Sequence, residues 1–163
     1  MTHAYIGLGS NLADPLQQVK SALSELGALP ETIKITHSSL YQSAPLGPVD
    51  QPDYINAVCV LDTCLPLERL FDRLLEIEDR HGRIRGAERW GPRTLDLDLL
   101  LYGDVQMEHA RITLPHPRLH ERSFVLHPLY EVAPELVIPG HGPLVELLKR
   151  CPPQGLRKLD DQA

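Results

Sequence analysis

Cysteine is scarce in this chain, and so is anything that would make a framework of it. Cys59, Cys64 and Cys151 form no C-x-x-C pair and are odd in number, which argues against a disulfide scaffold and leaves them as small hydrophobic filler. Aromatic residues make up only 5% of the sequence, too few for the exposed stacking platform that RNA-binding sheets use. Positive charge is in deficit as well: 16 Lys and Arg against 22 Asp and Glu give a net charge of −6, which disfavours general nucleic-acid binding. No apolar run approaches the length of a membrane span, and Met1-Thr2-His3-Ala4-Tyr5 lacks the basic and apolar regions of a signal peptide. A cytoplasmic protein without membrane or nucleic-acid partners is expected. There is no Walker A loop and no protein-kinase signature. Gly7-Leu8-Gly9 lacks the third glycine of a dinucleotide fingerprint, since Leu12 stands there, and no parallel β-α-β pattern follows. Gly9 and Asn11 therefore read as turn residues. Any phosphate site must be built from arginines, histidines and metal.

What is present is concentrated in Arg89-Trp90-Gly91-Pro92-Arg93-Thr94-Leu95-Asp96-Leu97-Asp98-Leu99-Leu100. In a strand, side chains alternate faces, so Asp96 and Asp98 point one way while Leu95, Leu97 and Leu99 point the other. Two like charges on one apolar strand call for a cation against them. Mg²⁺ prefers carboxylate oxygens, and neighbouring guanidinium forks suit phosphate. Two structural readings compete: an ion network with Arg89 and Arg93, or an edge strand whose polar face is simply wet. Between Glu78 and Arg93 lie five of the chain's twelve arginines (Arg80, Arg83, Arg85, Arg89, Arg93) against three acids. On an acidic protein, that cluster points to a confined anion site.

The 163 residues fit one domain with a sizeable core. Ala4 to Leu8 reads as a strand. Asp14 is placed as an N-cap with Pro15 at the first helical position; Leu16, Val19, Leu23 and Leu26 follow at helical spacing until Gly27. Ile33 to Tyr41 reads as a second strand. Ser43 to Pro52, with three prolines and a glycine, reads as a functional loop. Tyr54 to Leu61 is a third strand with Tyr54, Asn56, Val58 and Val60 on one face. Pro66 opens a helix striped by Leu67, Leu70, Phe71, Leu74 and Ile77. Gly82 to Pro92 is expected to be mobile without ligand, and the acidic strand then runs to Gly103. A hairpin (Val105 to Thr113), a helix from Ser123 to Glu131 and another from Pro143 to Arg150 complete the chain, with Leu156 to Ala163 expected to fray. The order β-α-β-β-α-β predicts an α+β, ferredoxin-like core with a mainly antiparallel sheet.

Single residues elsewhere stay ambiguous. His116 and His120 are four apart, but Pro115 and Pro117 flank His116 and disfavour a metal-binding helix. His116 either donates to phosphate or packs in a turn. Tyr54 and Asn56 could stack on a flat ligand and read its edge, or could be core. Trp90 is a ligand contact or a loop anchor.

The twelve-residue string resembles the signature of the 6-hydroxymethyl-7,8-dihydropterin pyrophosphokinase family. The resemblance extends to Tyr5-Ile6-Gly7-Leu8-Gly9-Ser10-Asn11-Leu12, Ser43-Ala44-Pro45-Leu46-Gly47-Pro48, Gln51-Pro52-Asp53-Tyr54-Ile55-Asn56 and Leu114-Pro115-His116-Pro117-Arg118, five motifs in order over roughly the first 130 residues. It implies an α/β/α sandwich with helices on both faces of a ferredoxin-like sheet, a single domain over residues 1–163, and a monomer. The implied reaction moves the diphosphate of ATP, as co-substrate, to the hydroxymethyl group of the pterin, releasing AMP, in folate biosynthesis. The resemblance further implies that Asp96 and Asp98 bind two Mg²⁺ ions and that Arg83 and Arg93 engage the transferred phosphates. It places Glu78, Arg85, Arg89, Trp90, His116 and Arg122 at the nucleotide. Tyr54 and Phe124 would sandwich the pterin, with Asn56 and the backbone of Ser43 and Leu46 reading its edge. Pro117 stands where some members carry an aromatic residue. No general base is assigned, because a metal-bound Asp98 is a poor one. Competing expectations are a metal-dependent phosphohydrolase, an RNA-binding ferredoxin-like module and a catalytically silent binder.

Overall fold

A computed structural model of the chain describes residues 1–44, 52–82, 94–153 and 155–159. Its elements are, in order, β1 (Thr2–Ser10), α1 (Pro15–Gly27), β2 (Thr32–His37), β3 (Tyr41–Ser43), β4 (Tyr54–Thr63), α2 (Leu67–Arg80) and β5 (Asp96–Tyr102). A hairpin of β6 (Met107–Glu108) and β7 (Thr113–Leu114) leads to a 3₁₀ turn at Leu119–Glu121, and then to α3 (Ser123–Val132). A second hairpin of β8 (Val137–Ile138) and β9 (Gly142–Pro143), the short α4 (Leu144–Lys149) and β10 (Arg157–Lys158) complete the described elements.

The main sheet runs β10-β3-β4-β1-β5, with β2 also paired to β4, and every pairing in it is antiparallel. β1 and β4 thus form the centre, and β5 lies at an edge. That is the order a split β-α-β repeat produces. Period-two alternation divides the sheet into two apolar faces. On one, Ala4, Ile6, Leu8, Ala57, Cys59, Leu61, Leu97 and Leu99 pack against Val19, Ala22, Leu23 and Leu26 of α1 and Leu70, Leu74 and Ile77 of α2. On the other, Tyr5, Val58, Val60, Leu100 and Leu101 pack against Val125, Leu126 and Leu129 of α3 and Leu144 and Leu147 of α4. Helices therefore cover both faces. The register shifts between Tyr5 and Ile6 opposite β5, which explains why consecutive Leu100 and Leu101 join the same face.

The structure corrects four local expectations. Asp14 sits before α1 in a left-handed conformation and makes no side-chain cap hydrogen bond; Pro15 at the first turn still defines the start. Ile33 to Tyr41 is not one strand. Ser38 breaks it by taking both main-chain groups of Val58: its N–H donates to Val58 O (2.8 Å), and its Oγ accepts the Val58 N–H (3.0 Å). Gly9 is not in a turn but inside β1. Within the stretch expected to fray, Arg157 and Lys158 pair with Gln42 and Tyr41; residues 160–163 lie outside the described residues. No described helix is long and apolar enough to cross a membrane.

Candidate active site

The site lies on the α3 face of the sheet, where three strands change character together. On β1 the row that begins with Tyr5 continues as Gly7 and Gly9, so the central strand presents bare backbone there. Register sets Gly9 between Asn56 of β4 and Asp96 of β5, and Gly7 between Val58 and Asp98. The two glycines make a trough with Tyr54 and Asn56 on one bank and the two carboxylates on the other. A Cβ at Gly9 would lie 3.4 Å from Asn56 Oδ1 and 3.6 Å from a Tyr54 ring carbon, and one at Gly7 would lie 3.4 Å from a Leu100 methyl. The trough opens into a cavity of about 190 Å³, bounded by Ser43, Tyr54, Asn56, Asp96, Asp98, His116, Arg122 and Phe124.

A second cavity, about 320 Å³, opens on the same two carboxylates and His116 and is lined further by Phe71, Leu75, Glu78, Arg111, Ile112, Thr113 and Pro117. The two spaces meet at Asp96, Asp98 and His116. That junction sets an acidic pair at the boundary between two cavities.

Each bank is braced from beneath. The Asn56 amide donates to Ser43 Oγ at 2.7 Å, so Ser43 reaches Asn56 through its side chain. Ser10 Oγ donates to Thr94 O at 2.5 Å, and Asn11 Nδ2 donates to Pro52 O at 2.9 Å, so the two buried polar residues after Gly9 hold the entries to β5 and β4. Glu78, 2% exposed, accepts the Leu97 N–H at 2.7 Å. A carboxylate from α2 thus fixes the peptide between the two aspartates' strand positions.

Asp98 faces two nitrogen groups, His116 Nε2 and Arg122 Nη1, each at 3.7 Å. His116 Nδ1 accepts the Arg118 N–H at 3.2 Å, which places the ring proton on Nε2, toward Asp98. Burial first, and then the Arg122 charge, pull the His116 pKa down to about 4 against the opposing pull of Asp96. At neutral pH the ring is therefore an uncharged donor. Arg122 carries the positive charge, and its guanidinium lies 5.5 Å from the Phe124 ring centre, within cation–π range.

The structure brings together Asp96, Asp98, His116, Arg122, Ser43, Tyr54, Asn56 and Phe124 around one cavity and adds Glu78 in the adjoining one. Arg83, Arg85, Arg89, Trp90, Arg93 and Leu46 lie outside the described residues. Sequence reasoning missed Gly7 and Gly9 as the floor, and Phe71, Arg111 and Thr113 in the second cavity. Arg111 is held over the Phe71 ring at 5.1 Å and beside Asp72 at 2.5 Å. Among the described residues no set of three or more His, Cys, Asp or Glu gathers as a metal cage. Two carboxylates opening on two cavities still fit Mg²⁺, which keeps waters and commonly takes its remaining ligands from substrate phosphate.

A family model described as 7,8-dihydro-6-hydroxymethylpterin-pyrophosphokinase matches residues 5–134. The chain is 47% identical over 160 residues to the 2-amino-4-hydroxy-6-hydroxymethyldihydropteridine pyrophosphokinase of Haemophilus influenzae, covering 98% of this chain and 99% of that one. It is 48% identical over 155 residues to the enzyme of the same name from Pseudomonas aeruginosa, covering 95% of each. Among solved structures, wild-type HPPK-DHPS of Plasmodium falciparum with pteroate superposes with a TM-score of 0.70 at 14% identity, over 91% of this chain and 44% of that longer one. This last likeness concerns the fold alone.

Proposed function

The chain belongs to the 7,8-dihydro-6-hydroxymethylpterin-pyrophosphokinase family, and from that premise we propose how its residues move the diphosphate of ATP to 6-hydroxymethyl-7,8-dihydropterin with release of AMP. The observation that carries the proposal is the junction of two cavities at Asp96 and Asp98. The cavity bounded by Tyr54, Asn56 and Phe124 suits a flat heterocycle with a hydrogen-bonding edge. The one bounded by Phe71, Arg111 and Thr113 takes the nucleotide. A pterin arm and a polyphosphate chain entering from opposite sides meet over the carboxylates.

Transfer of this kind depends on positioning and on stabilising charge. The hydroxymethyl oxygen attacks the β-phosphorus of ATP and gives up its proton to solvent, the bond from that phosphorus to the bridging oxygen of the α-phosphate breaks, and AMP leaves with that oxygen. Asp96 and Asp98 would hold Mg²⁺, with two ions expected from the family, and Glu78 keeps their strand in place through the Leu97 N–H. Held there, Mg²⁺ would supply positive charge that lowers the barrier to attack by the hydroxymethyl oxygen. His116 offers Nε2–H, and Arg122 offers its guanidinium, at the same junction. Arg83 and Arg93 are assigned to the transferred phosphates, and Arg85, Arg89 and Trp90 to the rest of the nucleotide. Leu46 and the Ser43 backbone are assigned to the pterin edge. The 163 residues are read as one domain, acting as a cytoplasmic monomer with no nucleic-acid partner.

Product analysis with ATP, Mg²⁺ and the pterin alcohol tests the reaction. AMP and pterin diphosphate should appear in equal amounts, and only when all three are present. AMP or ADP formed without the pterin would instead identify a phosphohydrolase.

A further inference from the structure

We propose that Glu131 is a positioning residue for the pterin side of the cavity, acting through Ser39 and Tyr41 on the strand that orients Asn56. The inference rests on the functional reading above. Glu131 lies at the C-terminal end of α3, two turns beyond Phe124. Its Oε2 accepts the Ser39 N–H at 3.0 Å and the Ser39 hydroxyl at 2.8 Å, and its Oε1 accepts the Tyr41 hydroxyl at 2.6 Å. One carboxylate thus collects three donors from the β2–β3 connection and from β3 itself. Burial would raise its pKa, but the bonds from Tyr41 and Ser39, together with the Lys158 charge, hold it below the ordinary carboxylate range. The anion is the form that these contacts select.

β3 needs such an anchor. It has three residues, and among the described residues it is paired to β4 as Tyr41↔Asn56, Gln42↔Ile55 and Ser43↔Tyr54 and on its other edge to the two residues of β10. Tyr41 and Ser43 share the face toward α3, as alternation requires. The bond to Tyr41 therefore sets the height of the row whose next member, Ser43, holds the Asn56 amide. The same helix brings Phe124 to the opposite wall. Glu131 accordingly couples the separation of the two walls to the orientation of the amide, without touching either ligand. Its surface position means that truncation leaves no core void.

Steady-state kinetics of Glu131→Ala, Glu131→Gln and Tyr41→Phe test the role. Charge-assisted bonds of this type, partly transmitted, lead us to expect a rise of about tenfold in KM for the pterin in Glu131→Ala, with KM for ATP within about twofold. Glu131→Gln keeps an oxygen for Tyr41 and should recover part of the loss; Tyr41→Phe, which removes one of three bonds, should show a smaller rise in the same constant. Near-UV circular dichroism establishes that each variant is folded, and Tyr41→Phe carries the test if Glu131→Ala is not. Unchanged KM values, or equal rises for both substrates, would overturn the positioning role. Wild-type protein that makes no pterin diphosphate would overturn the functional reading, and the role with it.

Discussion

Gly9 shows how small a change the site can register. Its missing side chain leaves the space between Asn56 and Asp96 open, and a methyl group there would meet its neighbours at ordinary contact distance. Gly9→Ala should therefore fold with a thermal midpoint within a few degrees of wild type while raising KM for the pterin by about tenfold or more, because the methyl would fill the floor of the cavity proposed for the ring. His116 gives a second residue-level expectation. Its unfolded imidazole takes a proton near pH 6.5 and its folded one near 4. Between those values the unfolded state binds more protons, so acid destabilises and stability rises with pH. Urea unfolding without metal should show wild type losing up to roughly 3 kcal/mol more than His116→Asn on going from pH 7 to below pH 4; parallel pH profiles would refute it. Legibility was uneven at this scale. Asp96 and Asp98 announce themselves because alternation puts two charges on one face. Gly9 did not, because glycine in a strand looks the same in sequence as glycine in a turn. Arg111 and Thr113 reach the second cavity only through tertiary packing, which leaves no local signal.

Elements differ in how they are anchored. α1 and α2 were readable from apolar spacing, since Val19, Leu23 and Leu26 and then Leu70, Leu74 and Ile77 fall on the buried stripes. The link between these helices was not readable. His81, just past the end of α2, places one ring nitrogen against Gln18 Oε1 and the other 2.5 Å from Glu25 Oε2. Both partners belong to α1, so the end of α2 from which the chain leaves toward Arg83 is tied to its neighbour. With the His81 side chain only 9% exposed, His81→Ala should lower unfolding free energy by about 1–3 kcal/mol in urea, because a buried ring and its contacts to two half-buried acceptors are lost. A change below about 0.5 kcal/mol would show that the contact is idle. Short strands were the least legible elements. β10 has two residues and no period to read, and the break between β2 and β3 depends on Ser38 bonding to Val58, a contact that leaves no local pattern in the sequence.

At the scale of the whole molecule, the two cavities stand on one sheet, so filling them stabilises the fold as a unit. A Mg²⁺ complex of a non-hydrolysable ATP analogue at about 100 times its Kd should raise Tm by roughly 5–10 °C, following the 2.7 kcal/mol that such saturation supplies. A chelator should abolish most of that shift if Asp96 and Asp98 hold the metal; a shift indifferent to chelation would remove the metal assignment. The strand order also does something that no single side chain can. Asn56 and Asp96 are held two strand spacings apart, about 9–10 Å, with Gly9 between them. Backbone hydrogen bonds set that spacing of the two Cα positions, which no rotamer change alters. The sheet is a gauge: under the proposed function it would sort molecules by length, a fused bicycle with a one-carbon arm spanning the two banks where a single ring would fall short.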